Sequence, residues 1–150
     1  FEPNSFIFQL GFSLISDLDN PNSDLLTLQL PGIHLLLEKC ILQNVGLGLK
    51  LGTQWWKADK LNYNYRYHSI GIRGTYHFNI IEKLDPYVGA NLSGRYFRIG
   101  NGEEGVSELN FQPGLVFGTR YYLGEKIAAF AEFAEDGIGK IHLGFTLKLK

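Results

Sequence analysis

The sequence predicts an all-β protein, an eight-stranded antiparallel up-and-down barrel. Three observations carry this reading. Apolar residues recur with period two along most of the chain, turn-rich patches divide it into segments, and helical periodicity is hard to find. In a strand, successive side chains point to opposite faces, so each segment can be sorted into two rows.

Phe6 to Ser16 is the first strand, with Phe6, Phe8, Leu10, Phe12 and Leu14 on one face and Gln9, Gly11 and Ser13 on the other. A loop containing Asp17, Asp19, Asn20, Pro21, Asn22 and Ser23 leads to a second strand from about Leu25 to Ile41. There the apolar row changes parity at Pro31-Gly32, from Leu26, Leu28 and Leu30 to Ile33, Leu35 and Leu37, and a β-bulge at that pair restores the register. Past the bulge, His34 and Glu38 take the polar face. The third strand, Val45 to Trp56, opposes Val45, Leu47, Leu49, Leu51 and Trp55 to Gly46, Gly48, Lys50, Gly52 and Gln54. Across a polar loop from Lys57 to Asn64, the fourth strand, Tyr65 to Phe78, sets Ile70, Ile72, Tyr76 and Phe78 against Ser69, Gly71, Arg73, Thr75 and His77.

A turn over Ile80 to Asp85 precedes the fifth strand, Pro86 to Arg98, with Val88, Ala90, Leu92 and Tyr96 opposite Gly89, Asn91, Ser93 and Arg95. The acidic, glycine-rich stretch Gly100 to Ser107 reads as a loop. Glu108 to Tyr122 is the sixth strand, with Leu109, Phe111, Leu115, Phe117 and Tyr121 against Asn110, Gln112, Gly114, Gly118 and Arg120. The tight turn Gly124-Glu125-Lys126 starts the seventh, Ile127 to Glu135, in which Glu132 fixes the parity. Ile127, Ala129, Ala131 and Phe133 are then apolar and Phe130 lies beside the glutamate. Beyond Asp136-Gly137, Lys140 to Lys150 alternates Ile141, Leu143, Phe145, Leu147 and Leu149 with His142, Gly144, Thr146 and Lys148.

The 150 residues, 45% hydrophobic and 19% charged, fit one domain with ample apolar content to fold. Cys40 is the only cysteine, which excludes a disulfide scaffold. A net charge of −1 and the lack of a Lys/Arg block argue against nucleic acid as a partner. Apolar runs such as Leu35 to Leu37 fall far short of the roughly 18 residues of a membrane helix. A start at Phe1 without any methionine fits a mature chain whose export signal has been removed.

Face chemistry then assigns the solvent. Glycine, serine and threonine share a face with Lys50, Arg73, Arg95, Arg120, Glu132 and Lys148, while the opposite face carries almost no charge. Small residues beside long charged ones suit a narrow interior, since glycine at alternate strand positions costs stability and gains nothing on a wet surface. The apolar face is therefore expected outside, and an apolar wall around a whole barrel exceeds what water tolerates, so the fold class becomes a transmembrane β-barrel in lipid. Loops expected to alternate long and short place the long ones outside the cell and both termini in the periplasm. Trp55, Trp56, Tyr65 and Tyr96 are expected as interface anchors at the outer end, and Tyr87 and Tyr121, with Tyr76 and Phe78, at the inner one.

The segments YHSIGIRGTYHF, KLDPYVGANLSGRYF, FQPGLVFGTRYYL and IHLGFTLKLK resemble the small eight-stranded bacterial outer-membrane β-barrel proteins of the OmpX/OmpA-barrel type. That resemblance spans essentially the whole chain, rests on alternation and glycine placement, and implies a bacterial outer-membrane location. The terminal Leu149-Lys150 departs from the closing aromatic usual in proteobacterial relatives.

On the inward face Lys50, Arg73, Arg95, Arg120 and Lys148 stand against Glu38 and Glu132. Buried charges must be paired or hydrated, so both glutamates are expected to bridge arginines across a lumen filled by polar side chains. A narrow anion-preferring path past Arg73, Arg95 and Arg120 is the alternative. A lipid-modifying enzyme is a further one, but His68 and Ser69 point to opposite faces and lack an orienting acid. Three histidines without common spacing, His34, His77 and His142, make a weak metal set, and nothing in the sequence calls for a cofactor. Cys40 reads as a lipid-side or turn residue. Ala90, Gly94, Ala129 and Ala131 form a small-residue outer face suited to docking against a larger outer-membrane complex. Glu103, Glu104 and Glu108 offer carboxylates that divalent cations could bridge to lipopolysaccharide. The expected role is thus a structural, loop-presenting barrel or an accessory subunit, with outer-membrane lipid and lipopolysaccharide as its surroundings.

Overall fold

The computed structural model describes residues 3–15, 27–58, 63–78, 80–101, 104–136 and 138–149. The strands are β1 (Phe6–Ile15), β2 (Thr27–Leu42), β3 (Val45–Ala58), β4 (Tyr63–His77), β5 (Leu84–Asn101), β6 (Glu104–Tyr122), β7 (Ile127–Ala134) and β8 (Ile141–Leu149). Each pairs antiparallel with the next, and β1 pairs with β8 from Phe6↔Leu149 to Ile15↔Ile141. The sheet therefore closes into a barrel and has no free edge.

The two rows read from the sequence occupy opposite faces of the wall. Leu47, Ile72 and Phe145 are 54%, 58% and 63% exposed, whereas Glu38, Arg120 and His142 are fully buried. Register aligns the outward residues into cross-strand rungs. Leu10, Leu35, Leu51, Ile70, Gly94 and Phe111 form one, and Phe8, Leu37, Leu49, Ile72, Leu92 and Pro113 the next. An apolar belt thus girdles the wall while the charged groups are turned to the axis.

The register of β2 against β3 shifts between Leu30 and Ile33, at Pro31-Gly32 as expected, because the parity of the apolar row cannot otherwise be kept. A second shift, between Leu28 and Leu30, has no counterpart in the sequence reading.

The expected alternation of long and short loops is not how the two ends differ. One end holds β1's start, β8's finish and the connections 43–44, 78–83 and 123–126. At the other end β3 and β4 continue pairing to Ala58↔Tyr63, and β5 and β6 to Asn101↔Glu104. Of the stretches read as loops, 57–58, 63–64, 100–101 and 104–107 are therefore strand. β7 and β8 have 8 and 9 residues, about what a tilted strand needs to cross a bilayer, while β5 and β6 have 18 and 19. Since β7 covers β6 only from Val116 to Tyr122, the β5–β6 ribbon stands beyond the wall. Its hydrogen-bond ladder continues past Tyr96 and Leu109, where the outward row turns to Arg98, Gly100, Gly105 and Ser107 and the apolar alternation ends. Glu103 lies outside the described residues.

Candidate functional site in the barrel lumen

The inward rows deliver two clusters of charge. In the first, Arg73 Nη1 donates to Glu132 Oε2 at 2.8 Å and Lys50 Nζ to Glu132 Oε1 at 3.3 Å. Lys50 also pairs with Asp136. In the second, Arg120 donates to Glu38, to Gln9 Oε1 at 3.3 Å and to Asp85 Oδ2 at 3.4 Å. Thr75 Oγ1 donates to the same Glu38. His77 sits between the two acids of this cluster, its Nδ1 2.7 Å from Asp85 and its Nε2 3.4 Å from Glu38.

Tyr87 joins the clusters. Its hydroxyl donates to Glu132 Oε2 at 2.7 Å, and its ring lies 4.6 Å from the Arg120 guanidinium and 5.3 Å from that of Arg73. Such contacts strengthen when water is excluded. Gly118 faces Tyr87 across the ladder, and a Cβ there would lie 2.5 Å from the tyrosine oxygen. A Cβ at Gly46 would strike the Glu38 carboxylate and Thr75. These glycines provide the space that the long inward side chains occupy.

Near the ribbon end, Asp136 in the β7–β8 connection turns into the barrel mouth. Its Oδ1 accepts the Ile138 N–H at 3.1 Å, and Ile138 packs, 1% exposed, against Trp56 and Tyr67. Burial alone would raise the Asp136 pKa, but Lys50 and then His142 hold the carboxyl well below the usual carboxylate range. His142 hydrogen-bonds Ser13 Oγ through Nδ1 at 2.9 Å, while its Nε2 lies 3.2 Å from Asp136 Oδ2, within ion-pair distance but outside hydrogen-bond geometry. A hydroxyl, an imidazole and a carboxylate thus stand in a row, Ser13–His142–Asp136. The His34 ring meets His142 edge-on at 4.7 Å, while His77 belongs to the other cluster, so the three histidines do not converge. No group of three or more metal-ligating side chains occurs among the described residues.

Of the inward charges read from the sequence, Glu38, Lys50, Arg73, Arg120 and Glu132 belong to these clusters. The Arg95 guanidinium lies 5.8 Å from the Tyr67 ring, and Lys148 lines a cleft at the terminal end with Glu82, Lys83, Tyr122 and Glu125. The acids Asp85 and Asp136 and the bridging Tyr87 were not anticipated as partners. Asp85 and Tyr87 share the parity of Gly89 and Asn91, a signal already present for Tyr87 inside the expected fifth strand and for Asp85 one residue before it. Asp136 carries no such signal, since only the folding of a connection places it.

Three expected interface anchors lie inside. Tyr87 and Trp56 are 1% and 5% exposed, and Tyr65 packs half-buried beside Trp56, Tyr67 and Phe97 at the mouth. Parity demands this, since Trp56 follows the outward Trp55 and Tyr65 and Tyr87 fall on the rows of Arg73 and Asn91. Trp55, Tyr96 and Tyr121 are exposed on the outer wall. Cys40 also faces inward, where Ser5 Oγ donates to its sulfur at 3.1 Å. His68, outward, pairs with Thr53 Oγ1 at 3.1 Å and is separated from Ser69 by the wall.

The four small outward residues do not make one surface. Gly94 is covered by the Phe111 ring opposite it, and Ala90 is parted from Ala129 and Ala131 by β6, which presents Leu115, Phe117 and Tyr121 between them.

Searches of protein families and of curated proteins found no match. Solved structures do match. The N-terminal β-barrel domain of Pseudomonas aeruginosa OprF superposes with a TM-score of 0.68 at 16% identity, over 98% of both chains. Neisserial surface protein A gives 0.64 at 13%, over 97% of this chain and 96% of that one. A de novo designed transmembrane β-barrel gives 0.58 at 14%, over 99% and 98%. Natural and designed barrels match alike, so the likeness carries architecture and not activity. With its closed eight-strand sheet, apolar outer belt and charged axis, the chain has the fold of the small transmembrane β-barrels of bacterial outer membranes.

Proposed function

We propose that the chain is an integral outer-membrane protein whose lumen is closed by its own side chains and which serves as a structural, loop-presenting barrel. The observation that carries this reading is the charge network: Lys50, Arg73 and Arg120 each meet carboxylates across the axis, with Tyr87 wedged between the two arginines. Eight strands leave an interior barely wider than such side chains. Ile138 and Trp56 cover the ribbon end of the same axis. The β5–β6 ribbon is assigned to the cell exterior and the termini with their turns to the periplasm, and Trp55 and Tyr96 at one level and Tyr121 at the other are the interface anchors. Purified protein in planar bilayers is expected to give no discrete conductance steps. Regular anion-selective steps that vanish on replacing Arg73 by glutamine would overturn the closed lumen.

A hydrolase reading has one arrangement in its favour, the Ser13–His142–Asp136 row. Two features argue for a structural role instead. Asp136 is shared with Lys50, and Ser13 is 8% exposed beneath the mouth. A serine nucleophile needs room for substrate and donors for its oxyanion. Incubation with a fluorophosphonate probe is expected to leave Ser13 unmodified. Stoichiometric labelling lost in Ser13→Ala and His142→Gln would establish an activated serine.

A further inference from the structure

The first polar level above the apolar belt, on the ribbon side, has a composition of its own. Directly over the apolar rung of Leu51, Ile70, Gly94 and Phe111 come the outward residues Thr53, His68, Tyr96 and Leu109. Over these come Trp55, Arg66, Arg98 and Ser107, and then Lys57, Asn64, Gly100 and Gly105. Lys57, Arg66, Arg98 and His68 thus share one corner of the outer wall.

Within this corner Arg66 and Arg98 are direct partners across the β4–β5 ladder. Arg66 is exposed and rests over the Trp55 ring at 5.6 Å, and Trp55 is itself pinned by its Nε1 donating to Thr53 Oγ1 at 3.2 Å. Asn64, Arg66, Arg98 and Gly100 line a cleft of about 110 Å³, enough for one phosphate group. Gly100 holds φ at 145°, a conformation that side-chain-bearing residues rarely adopt, so the cleft wall is kept bare.

We infer that Arg66 and Arg98 form a docking site on the outer wall for a phosphate group of a phosphorylated outer-leaflet glycolipid of the lipopolysaccharide class. Guanidiniums placed directly opposite across a ladder lie close enough to converge on one anion. Guanidinium forks match phosphate oxygens in pairs, and Asn64 adds an amide donor at the same level. Arg66 and Arg98 stand two rungs beyond Ile70 and Gly94, where the apolar belt ends, so a lipid seated along Ile70 and Phe111 brings its headgroup to the arginines. Free phosphate would meet the same guanidiniums without that apolar contact, so the lipid is the occupant to which the geometry commits.

This inference rests on the outward orientation of the ribbon proposed above. The test is native mass spectrometry of the detergent-solubilised full chain with lipid A, with phosphatidylcholine and with inorganic phosphate. The chain is expected to retain lipid A, to retain phosphatidylcholine weakly and to hold no phosphate. Arg66→Gln with Arg98→Gln should lower lipid A retention roughly tenfold or more. Arg66→Lys should lower it by less, since the point charge stays and the fork is lost. Equal retention by the double variant would overturn the site, and so would inorganic phosphate binding as well as lipid A. Orientation is read separately by labelling Ser107→Cys with an impermeant maleimide on intact cells. Failure to label there refutes the outward ribbon and, with it, an outer-leaflet occupant, even where lipid A still binds in detergent.

Discussion

Replacing Glu132 by alanine is expected to destabilise the barrel by about 3–5 kcal/mol, the cost of leaving buried charges without their partner. Three donors lose their acceptor at once: Arg73, Lys50 and the Tyr87 hydroxyl, all on one carboxylate that is itself fully shielded. Urea unfolding in phosphatidylcholine vesicles, followed by tryptophan fluorescence and by the mobility of unheated protein on denaturing gels, measures the loss. Arg73→Met added to Glu132→Ala should recover part of the stability, because removing both members of a buried pair costs less than removing one. A loss below about 1 kcal/mol for Glu132→Ala would mean that water fills the lumen and screens its charges, and the closed-lumen proposal would fall with it.

Replacing Leu49 by arginine should cost about 2–4 kcal/mol in the same measurement, the penalty of a lipid-facing cation near the bilayer midplane. Leu49 is 47% exposed on the rung that also presents Leu37 and Ile72, at mid-height of the belt. The same substitution at exposed Leu123, in the β6–β7 connection at the terminal end, should change stability by less than about 1 kcal/mol. If the two variants behaved alike, the belt would be facing water.

How far the sequence could be read depends on which physical constraint was acting. Period-two patterning exposed the walls wherever one face meets hydrocarbon and the other a crowded axis, because a one-residue slip would exchange every side chain between those environments. This is why the rows of β1, β3 and β8 were legible to the residue, and why the parity change at Pro31-Gly32 announced a bulge. At the ribbon end the outward row leaves the apolar belt for residues such as Arg66 and Arg98, and the alternation ends with it. The extensions of β3 to β6 were therefore read as loops, and Tyr65, Trp56 and Tyr87 were assigned outward because aromatic residues at a strand end invite an interface reading. Strict parity, carried past the last leucine, would have turned all three inward.

Partner choice in the lumen was legible only in part. That Glu38 and Glu132 meet arginines follows from charge on a narrow inward face, yet Asp85 and Asp136 were read as turn residues, so cations looked to be in surplus. The pairing is decided by the stagger of strands distant in sequence, as in Lys50 with Glu132 and Arg120 with Gln9. No local rule reports that stagger, because it is a property of how the sheet closes.

Alternation along the chain was enough by itself to determine that this protein is a closed β-wall with hydrocarbon outside and charge within, since each residue's face is a local consequence of strand geometry. Only the tertiary structure decided which charges meet, that Asp136 and Ile138 fold into the mouth, and that Arg66 and Arg98 stand side by side. Those are distances between residues far apart in sequence, and barrel closure sets them.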